Sequence, residues 1–171
     1  VEEVTGVGLA LKWPNDLVVA DGPLADRKVA GVLAESLMAD GAVSAVVIGM
    51  GLNLQWPNDL PVEIAATAAS VNHLTDGPVD REAVLVTWLR RYEELLDGIS
   101  EEVGRSTLLT EVRTRSATIG REVRIENSTD SFDARALAID DAGHLIVERD
   151  GSEVVVTVGD VVHARVLPPP A

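Results

Sequence analysis

The sequence predicts a mixed α/β protein that ends in a small all-β part. Residues 1–116 alternate short apolar runs with stretches of helical period, whereas five short strand-like runs follow one another within residues 117–171. Turn-forming residues separate those five runs, as is typical of a small barrel. We therefore predict two domains, 1–116 and 117–171.

The first part opens with four predicted strands. Gly8 to Trp13 and Leu17 to Ala20 are short apolar runs. Lys28 to Leu37 and Val43 to Leu52 are longer and rich in Val, Leu and Ile, which predicts strands buried on both faces. Between the two long runs lies Asp40-Gly41, a strong signal for a two-residue hairpin turn.

Helices are predicted to complete the first part. We expect one from Val62 to about Leu74, a second that Asp80 caps at its N-terminus, and a third from Thr107 to Arg115. Apolar residues recur at helical spacing along the second helix and predict its buried face. They are Val84, Leu85, Trp88, Leu89, Tyr92, Leu95 and Leu96.

The second part reads as five strands joined by short turns. The predicted strands are Glu122–Ile125, Phe132–Ile139, His144–Val147, Val154–Val158 and Val161–Val166. The predicted turns are Asn127-Ser128, Asp141-Ala142-Gly143, Asp150-Gly151 and Gly159-Asp160.

The charge balance excludes several classes of partner. The net charge is −14, with 9 basic and 18 acidic side chains in residues 1–116 and 5 and 10 in residues 117–171. Nucleic acids and anionic membranes bind positive surfaces, so neither is an expected partner. There is no cysteine, and no run approaches the roughly 20 apolar residues that cross a bilayer. We expect a cytoplasmic protein.

Only two lysines occur, and each lies in a dense motif. Lys12 opens Lys-Trp-Pro-Asn-Asp, a stiff polar turn that either is only structural or presents its side chains to a nucleotide. Lys28 opens Lys-Val-Ala-Gly-Val-Leu-Ala-Glu, where it either meets an anion or reaches back to water. Strand alternation predicts that Lys28 and Val32 share one face and Gly31 the other. A third motif, Gly49-Met50-Gly51-Leu52-Asn53, reads as a tight turn or as a close approach of a ligand to the backbone.

The order and spacing of the three motifs resemble those of the biotin protein ligases. That family shows a Lys-Trp-Pro-Asn-Asp loop, a Lys-x-Ala-Gly-Ile/Val-Leu-x-Glu strand and a Gly-x-Gly-x-Asn turn, seen here at Lys12–Asp16, Lys28–Glu35 and Gly49–Asn53. The resemblance implies a partial class II synthetase-like catalytic domain followed by an SH3-like β-barrel. It also implies ATP and biotin as substrates, Mg²⁺, and a biotin carboxyl-carrier domain of a carboxylase as partner. Because the family often dimerises, a homodimer is a further expectation.

The resemblance also implies roles for individual residues. Lys28 would be catalytic and would contact the biotin carboxylate and the α-phosphate. The other residues expected to bind biotin or its adenylate are Gly31, Val32, Leu33, Gly49 and Gly51. The residues expected to bind ATP are Lys12, Asn15, Asp16, Asn53 and Arg165. Asp16 or Asn53 would hold the Mg²⁺ ion.

One family signature is absent. The Gly-Arg-Gly-Arg-x-Gly-Arg loop, which precedes the Lys-Trp-Pro-Asn-Asp motif in the family, does not occur in this sequence. We therefore interpret the chain as an N-terminally incomplete ligase that forms little adenylate by itself. The alternative is a non-catalytic remnant that keeps only carrier-docking or dimerisation surfaces. A lipoate ligase relative is a third possibility, against which the Lys-Trp-Pro-Asn-Asp loop argues.

Overall fold

The computed structural model describes residues 1–126 and 131–157, together with the backbone of residues 163–166. The chain forms two compact units. The first contains Val1–Ala10 and Asn15–Arg91, and the second contains Leu11–Pro14 and Tyr92–Ala171. The domain boundary near residue 117 stays a prediction. Among the described residues, no helix combines the length and the apolar character that a membrane crossing requires.

Helix α1 (Glu2–Thr5) and an antiparallel hairpin organise the first unit. The sheet has the order β1 (Leu9–Lys12), β2 (Asp16–Val19), β3 (Lys28–Ala39) and β4 (Ala42–Leu52). The predicted turn between β3 and β4 is confirmed: Asp40 and Gly41 have φ angles of 51° and 78°, as a two-residue hairpin turn requires.

The prediction that β3 and β4 are buried on both faces is wrong. Only Val29 and Ala30 of β3 are buried, and the strand is exposed from Leu33 onward. Strand β4 ends the sheet order and is mostly exposed. An apolar run reports the residues' preference for burial, whereas burial itself depends on which elements pack over them. The core of this unit is Val7, Val19, Val29, Ala69 and Val71.

The helix predictions hold in part. Helix α2 is only Val62–Ala65, and a 3₁₀ turn at Val71–His73 replaces the rest of the expected helix. The side-chain amide of Asn72 bonds both backbone groups of Trp56 and so competes with helical pairing. The next helix, α3, is Arg81–Ile99, and the predicted cap is confirmed because Asp80 Oδ1 accepts the Ala83 N–H at 2.9 Å.

The predicted burial of the α3 stripe is wrong. Val84 is its only buried member, while Leu85, Leu89, Leu95 and Leu96 are exposed. Trp88 and Tyr92 are half-buried. Helix α4 spans Glu102–Thr114 and begins five residues before the predicted start at Thr107.

The second unit contains a five-stranded antiparallel sheet of order β8-β7-β6-β5-β9. All five predicted strands are present, as β5 (Glu122–Glu126), β6 (Ser131–Ile139), β7 (Leu145–Arg149), β8 (Ser152–Val156) and β9 (His163–Val166). The fold is thus mixed α/β followed by a small all-β domain, as expected. The predicted turns Asn127-Ser128 and Gly159-Asp160 lie outside the described residues. The turn at Asp150-Gly151 has φ angles of 52° and 76°.

Candidate active site

Three of the predicted site residues form one row across the sheet of the first unit. Asp16 of β2 pairs with Gly31 of β3, and Gly31 pairs with Gly51 of β4. Two residues further along β3, Leu33 pairs with Gly49. Directly opposed residues of antiparallel strands project to the same side of the sheet. The register therefore brings one carboxylate, three glycines and one exposed leucine to a single face.

Lys28 lies against this row. Its Nζ is 2.5 Å from Asp16 Oδ1, and the two side chains are 49% and 18% exposed. A Cβ added to Gly31 would lie 3.0 Å from Lys28 Nζ and 3.3 Å from Asp16 Oδ1. Gly31 therefore gives the ion pair room to lie over the β3 backbone.

The face predicted for the Lys28 side chain from strand alternation is wrong. Alternation predicts the Lys28 side chain on the face opposite Gly31, whereas in the structure Lys28 Nζ lies next to the Gly31 backbone. The pairing of β2 with β3 shifts register between Leu17 and Val18, so Lys28 pairs with Val18 at an irregular strand end. A long flexible side chain in that position can turn toward Asp16, and strict alternation no longer applies.

The interpretation of Gly49 and Gly51 as a tight turn is also wrong. Both residues lie within β4, and neither is among the glycines with positive φ. No heavy atom lies within 4 Å of the Cβ position of either one. Since neither the backbone conformation nor a neighbouring group requires glycine there, the two positions leave open space on the site face.

Two asparagines fix the backbone around the site. Asn15 Nδ2 donates to Val32 O at 2.7 Å, and Val32 N–H donates to Asn15 O at 2.8 Å, so the loop before β2 is fastened to β3. Asn53 Nδ2 donates to Ala69 O at 3.0 Å and to Lys28 O at 3.4 Å. Asn53 thereby holds the start of β3, the strand end from which Lys28 projects.

The remaining predicted site residues belong to the second unit. Lys12 is half-buried at the end of β1, in the Leu11–Pro14 segment. Arg165 lies on β9, where its backbone pairs with that of Arg124. The Arg165 side chain lies outside the described residues, so its expected role stays a prediction.

The described residues do not supply a ready-made metal centre. Across residues 1–126 and 131–157, no three His, Cys, Asp or Glu side chains cluster as metal ligands. Asp16 contributes a single carboxylate, which is engaged by Lys28. Mg²⁺ commonly binds through one or two carboxylates plus substrate phosphates and water, so these residues fit an ion that arrives with ATP.

Family models match both parts of the chain. The model described as the biotin/lipoate A/B protein ligase family matches residues 2–53, which include all three motifs. The model described as the biotin protein ligase C terminal domain matches residues 118–164.

Curated relatives and solved structures agree with these matches. The biotin--[acetyl-CoA-carboxylase] ligase of Mycobacterium tuberculosis is 37% identical over 157 residues, which are 91% of this chain and 53% of that protein. The bifunctional ligase/repressor BirA of Bacillus subtilis is 31% identical over 150 residues, 86% of this chain and 44% of that protein. The chain spans about half the length of these relatives.

The fold is that of biotin protein ligase from Aquifex aeolicus. Its apo structure superposes with a TM-score of 0.80 at 23% identity, covering 97% of this chain and 69% of that one. A second structure, of that protein in complex with biotin and ATP, gives a TM-score of 0.78 at 23% identity and covers 97% of this chain and 66% of that one. Fold and motifs together define a protein of the biotin/lipoate ligase class. Within that class, the chain belongs to the biotin protein ligase family.

Proposed function

We propose that the protein forms biotinyl-5′-AMP from biotin and ATP and transfers the biotin to a lysine of a carboxylase carrier domain. The observation that carries this proposal is the Lys28–Asp16 pair beside Gly31, Gly49 and Gly51 on one open sheet face. A cation at one end of a smooth strip of backbone suits a ligand with one anionic end and an apolar body. Biotin has this form.

Lys28 serves the first step. An oxygen of the biotin carboxylate attacks the α-phosphorus of ATP, the bond to the bridging oxygen breaks, and pyrophosphate leaves. An ammonium carries three N–H donors, so Lys28 can keep Asp16 as one acceptor while it donates to the carboxylate and to the α-phosphate. Because Asp16 already holds the ammonium, the charge is in place before negative charge develops in the transition state.

The open face of strands β2–β4, referred to as the floor, is the surface on which biotin binds. Gly49 and Gly51 let the ligand approach the backbone, and Leu33, with 62% of its surface exposed, offers apolar contact. Peptide groups of Gly31 and Val32 line the same strip. This arrangement gives the glycines a purpose, since glycine within a strand otherwise costs stability.

ATP is held by the remaining predicted residues. Lys12, Asn15, Asp16, Asn53 and Arg165 contact the nucleotide. Asp16 or Asn53 would hold a Mg²⁺ ion, which would neutralise negative charge on the ATP phosphates. In the second step the ε-amine of the carrier lysine attacks the acyl carbon of the mixed anhydride and AMP leaves. No covalent enzyme intermediate is needed, which fits a chain without cysteine.

The partner is a biotin carboxyl-carrier domain of a carboxylase, and the protein acts in the cytoplasm. We further propose a homodimer formed through the β3–β4 hairpin. Strand β4 ends the sheet order, and Val43, Val46 and Val47 on it are more than half exposed. An exposed apolar edge strand is a template for pairing with another chain.

A second candidate is a non-catalytic remnant that keeps only docking or dimerisation surfaces. The observation that favours it is the exposed apolar β3–β4 hairpin, a surface suited to association rather than to catalysis. The two candidates differ in their prediction for biotin binding, because a remnant of this kind has no need of the Lys28 site.

The test compares Lys28→Ala with Arg27→Ala. Arg27 is the neighbouring cation in the sequence, but it lines a separate pocket with Leu24 and His73. Biotin affinity of the 171-residue protein is measured by isothermal titration calorimetry, and adenylate formation by biotin-dependent ATP–pyrophosphate exchange. We expect the protein to bind biotin, Lys28→Ala to abolish that binding and Arg27→Ala to keep it. Equal affinity in the two variants, or no biotin binding by the unsubstituted protein, would refute the proposed site. Binding without exchange would show that this chain carries the site but not the whole catalytic set.

A further inference from the structure

The segment that carries Lys12 is bound to the second unit by a short ladder of hydrogen bonds. Leu11 N–H donates to Arg115 O at 2.8 Å, and Ala117 N–H donates to Leu11 O at 2.8 Å. Trp13 N–H donates to the Thr118 hydroxyl oxygen at 2.9 Å. The backbone is therefore fastened on both sides of Lys12, at the residue before it and at the residue after it.

The Trp13 side chain adds a second attachment. It is only 6% exposed and belongs to the core of the second unit, together with Val123, Ile125 and Leu145. Its indole N–H donates to Gly143 O at 2.9 Å. In the sequence, Trp13 is part of the Lys12–Asp16 loop motif. In the structure, its side chain packs in the core beneath the C-terminal sheet.

Both acceptors are themselves held in place. Thr118 is 1% exposed, and its own N–H donates to Ser116 Oγ at 3.1 Å. Gly143 lies in the turn before β7, where Asp140 Oδ1 accepts the N–H groups of Ala142 and His144 at 2.9 and 2.8 Å. An anchor made of a buried hydroxyl and a braced turn restricts the backbone of Lys12 more than an exposed loop would.

We propose that Trp13 and Thr118 are positioning residues for Lys12, and through it for nucleotide binding. A lysine side chain has a flexible four-carbon stem, so the position of its ammonium depends on how firmly the backbone is held. The C-terminal unit supplies that support through the Thr118 hydroxyl, a group that no sequence motif indicates. This inference rests on the proposed function, because it assigns Lys12 to the nucleotide.

Thr118→Val is the discriminating substitution. Valine has the shape of threonine but cannot accept the Trp13 N–H, and Thr118→Ser restores the acceptor. Thr110→Val is the matched control, since the Thr110 hydroxyl donates only to Ser106 O within the exposed face of α4. Lys12→Ala reports the largest effect that loss of the lysine can have.

Affinities for biotin and for a non-hydrolysable biotinyl-adenylate analogue are measured with each protein, together with the thermal midpoint. We expect Thr118→Val to weaken binding of the analogue by about three- to tenfold, the range for loss of one hydrogen bond, and to leave biotin affinity unchanged. Thr118→Ser and Thr110→Val should bind both ligands like the unsubstituted protein. Trp13→Phe, which keeps a ring in the core but lacks the indole N–H, should weaken the analogue alone.

Three results would contradict the inference. A lower thermal midpoint with unchanged affinity for the analogue would make Thr118 purely structural. Normal affinity in Lys12→Ala, with Lys28→Ala still defective, would remove Lys12 from the nucleotide site and leave the biotin site standing. If the unsubstituted protein binds neither ligand, the proposed function fails, and amide hydrogen exchange of residues 12 and 13 then tests the anchor alone. Exchange that is as slow in Thr118→Val and Trp13→Phe as in the unsubstituted protein would overturn it.

Discussion

Alanine in place of Gly49 or Gly51 should separate folding from ligand binding. Neither position has a heavy atom within 4 Å of its Cβ, and neither has the positive φ that favours glycine. A methyl group therefore meets no resistance from the folded protein. Because glycine in a strand costs roughly 0.5–1 kcal/mol relative to alanine, each substitution should raise the free energy of unfolding by up to that amount.

Ligand binding should respond in the opposite direction. If biotin lies against these glycines, the added methyl groups occupy its space, and overpacking of this kind costs roughly 1–3 kcal/mol. That range corresponds to a dissociation constant about 5- to 150-fold higher. Gly8→Ala is the matched control, because Gly8 also has open space at its Cβ and no positive φ but lies outside the site face.

The assay pairs urea unfolding with calorimetric titration of biotin for all three variants. We expect Gly49→Ala and Gly51→Ala to be at least as stable as the unsubstituted protein and to bind biotin more weakly, with Gly8→Ala unchanged in affinity. Unchanged biotin affinity in both site variants would refute the claim that the glycines form the floor. If Gly8→Ala lost as much biotin affinity as the two site variants, the weaker binding would be a general effect of replacing glycine by alanine.

Further predictions concern the apolar contact, acid stability and a helix cap. Leu33→Ala should weaken biotin binding by about three- to tenfold, which corresponds to a loss of about 0.7–1.4 kcal/mol of apolar contact. Leu37 is also exposed on β3, and Leu37→Ala should leave biotin affinity unchanged. Equal effects of the two substitutions in calorimetry would contradict this. Two backbone N–H donors, chiefly that of His144, lower the pKa of Asp140 below its ordinary value of 3.8. The ionised Asp140 carboxylate thus stabilises the fold above that value, and its contribution is lost as the pH falls below it. From about pH 6 to about pH 3, the urea midpoint of Asp140→Asn should therefore drop less than that of the unsubstituted protein. An unchanged drop would show that Asp140 is not an acid-sensitive group. Asp80→Ala should cost about 1 kcal/mol of stability through loss of the α3 cap, measured by urea unfolding, and no change would remove the cap from the account.

Local sequence signals predicted where a turn or a helix cap forms better than they predicted which strands are buried. The Asp40-Gly41 turn and the Asp80 cap depend on a few adjacent residues, and both appear in the structure as expected. The exposure of β3 and β4 could not be predicted from their composition, because it depends on what packs over the hairpin. An apolar run alone does not contain that information.

In the candidate site, too, the residue identities were predictable but their arrangement in space was not. The identities of Asp16, Gly31 and Gly51 could be selected from motifs, but their row across three strands follows from the strand register. Lys28 reaches this row from an irregular strand end, where it pairs with Val18. Strand alternation therefore placed Lys28 on the wrong face. The role of Trp13 was missed because its partners are more than 100 residues away in the chain.

The most direct test of the central claim is a crystal structure of this protein with a non-hydrolysable biotinyl-adenylate analogue. We expect the phosphate next to Lys28 Nζ, with the biotin moiety lying along Gly31, Gly51 and Gly49 and against Leu33. An analogue bound elsewhere, or bound here with its phosphate away from Lys28, would contradict it.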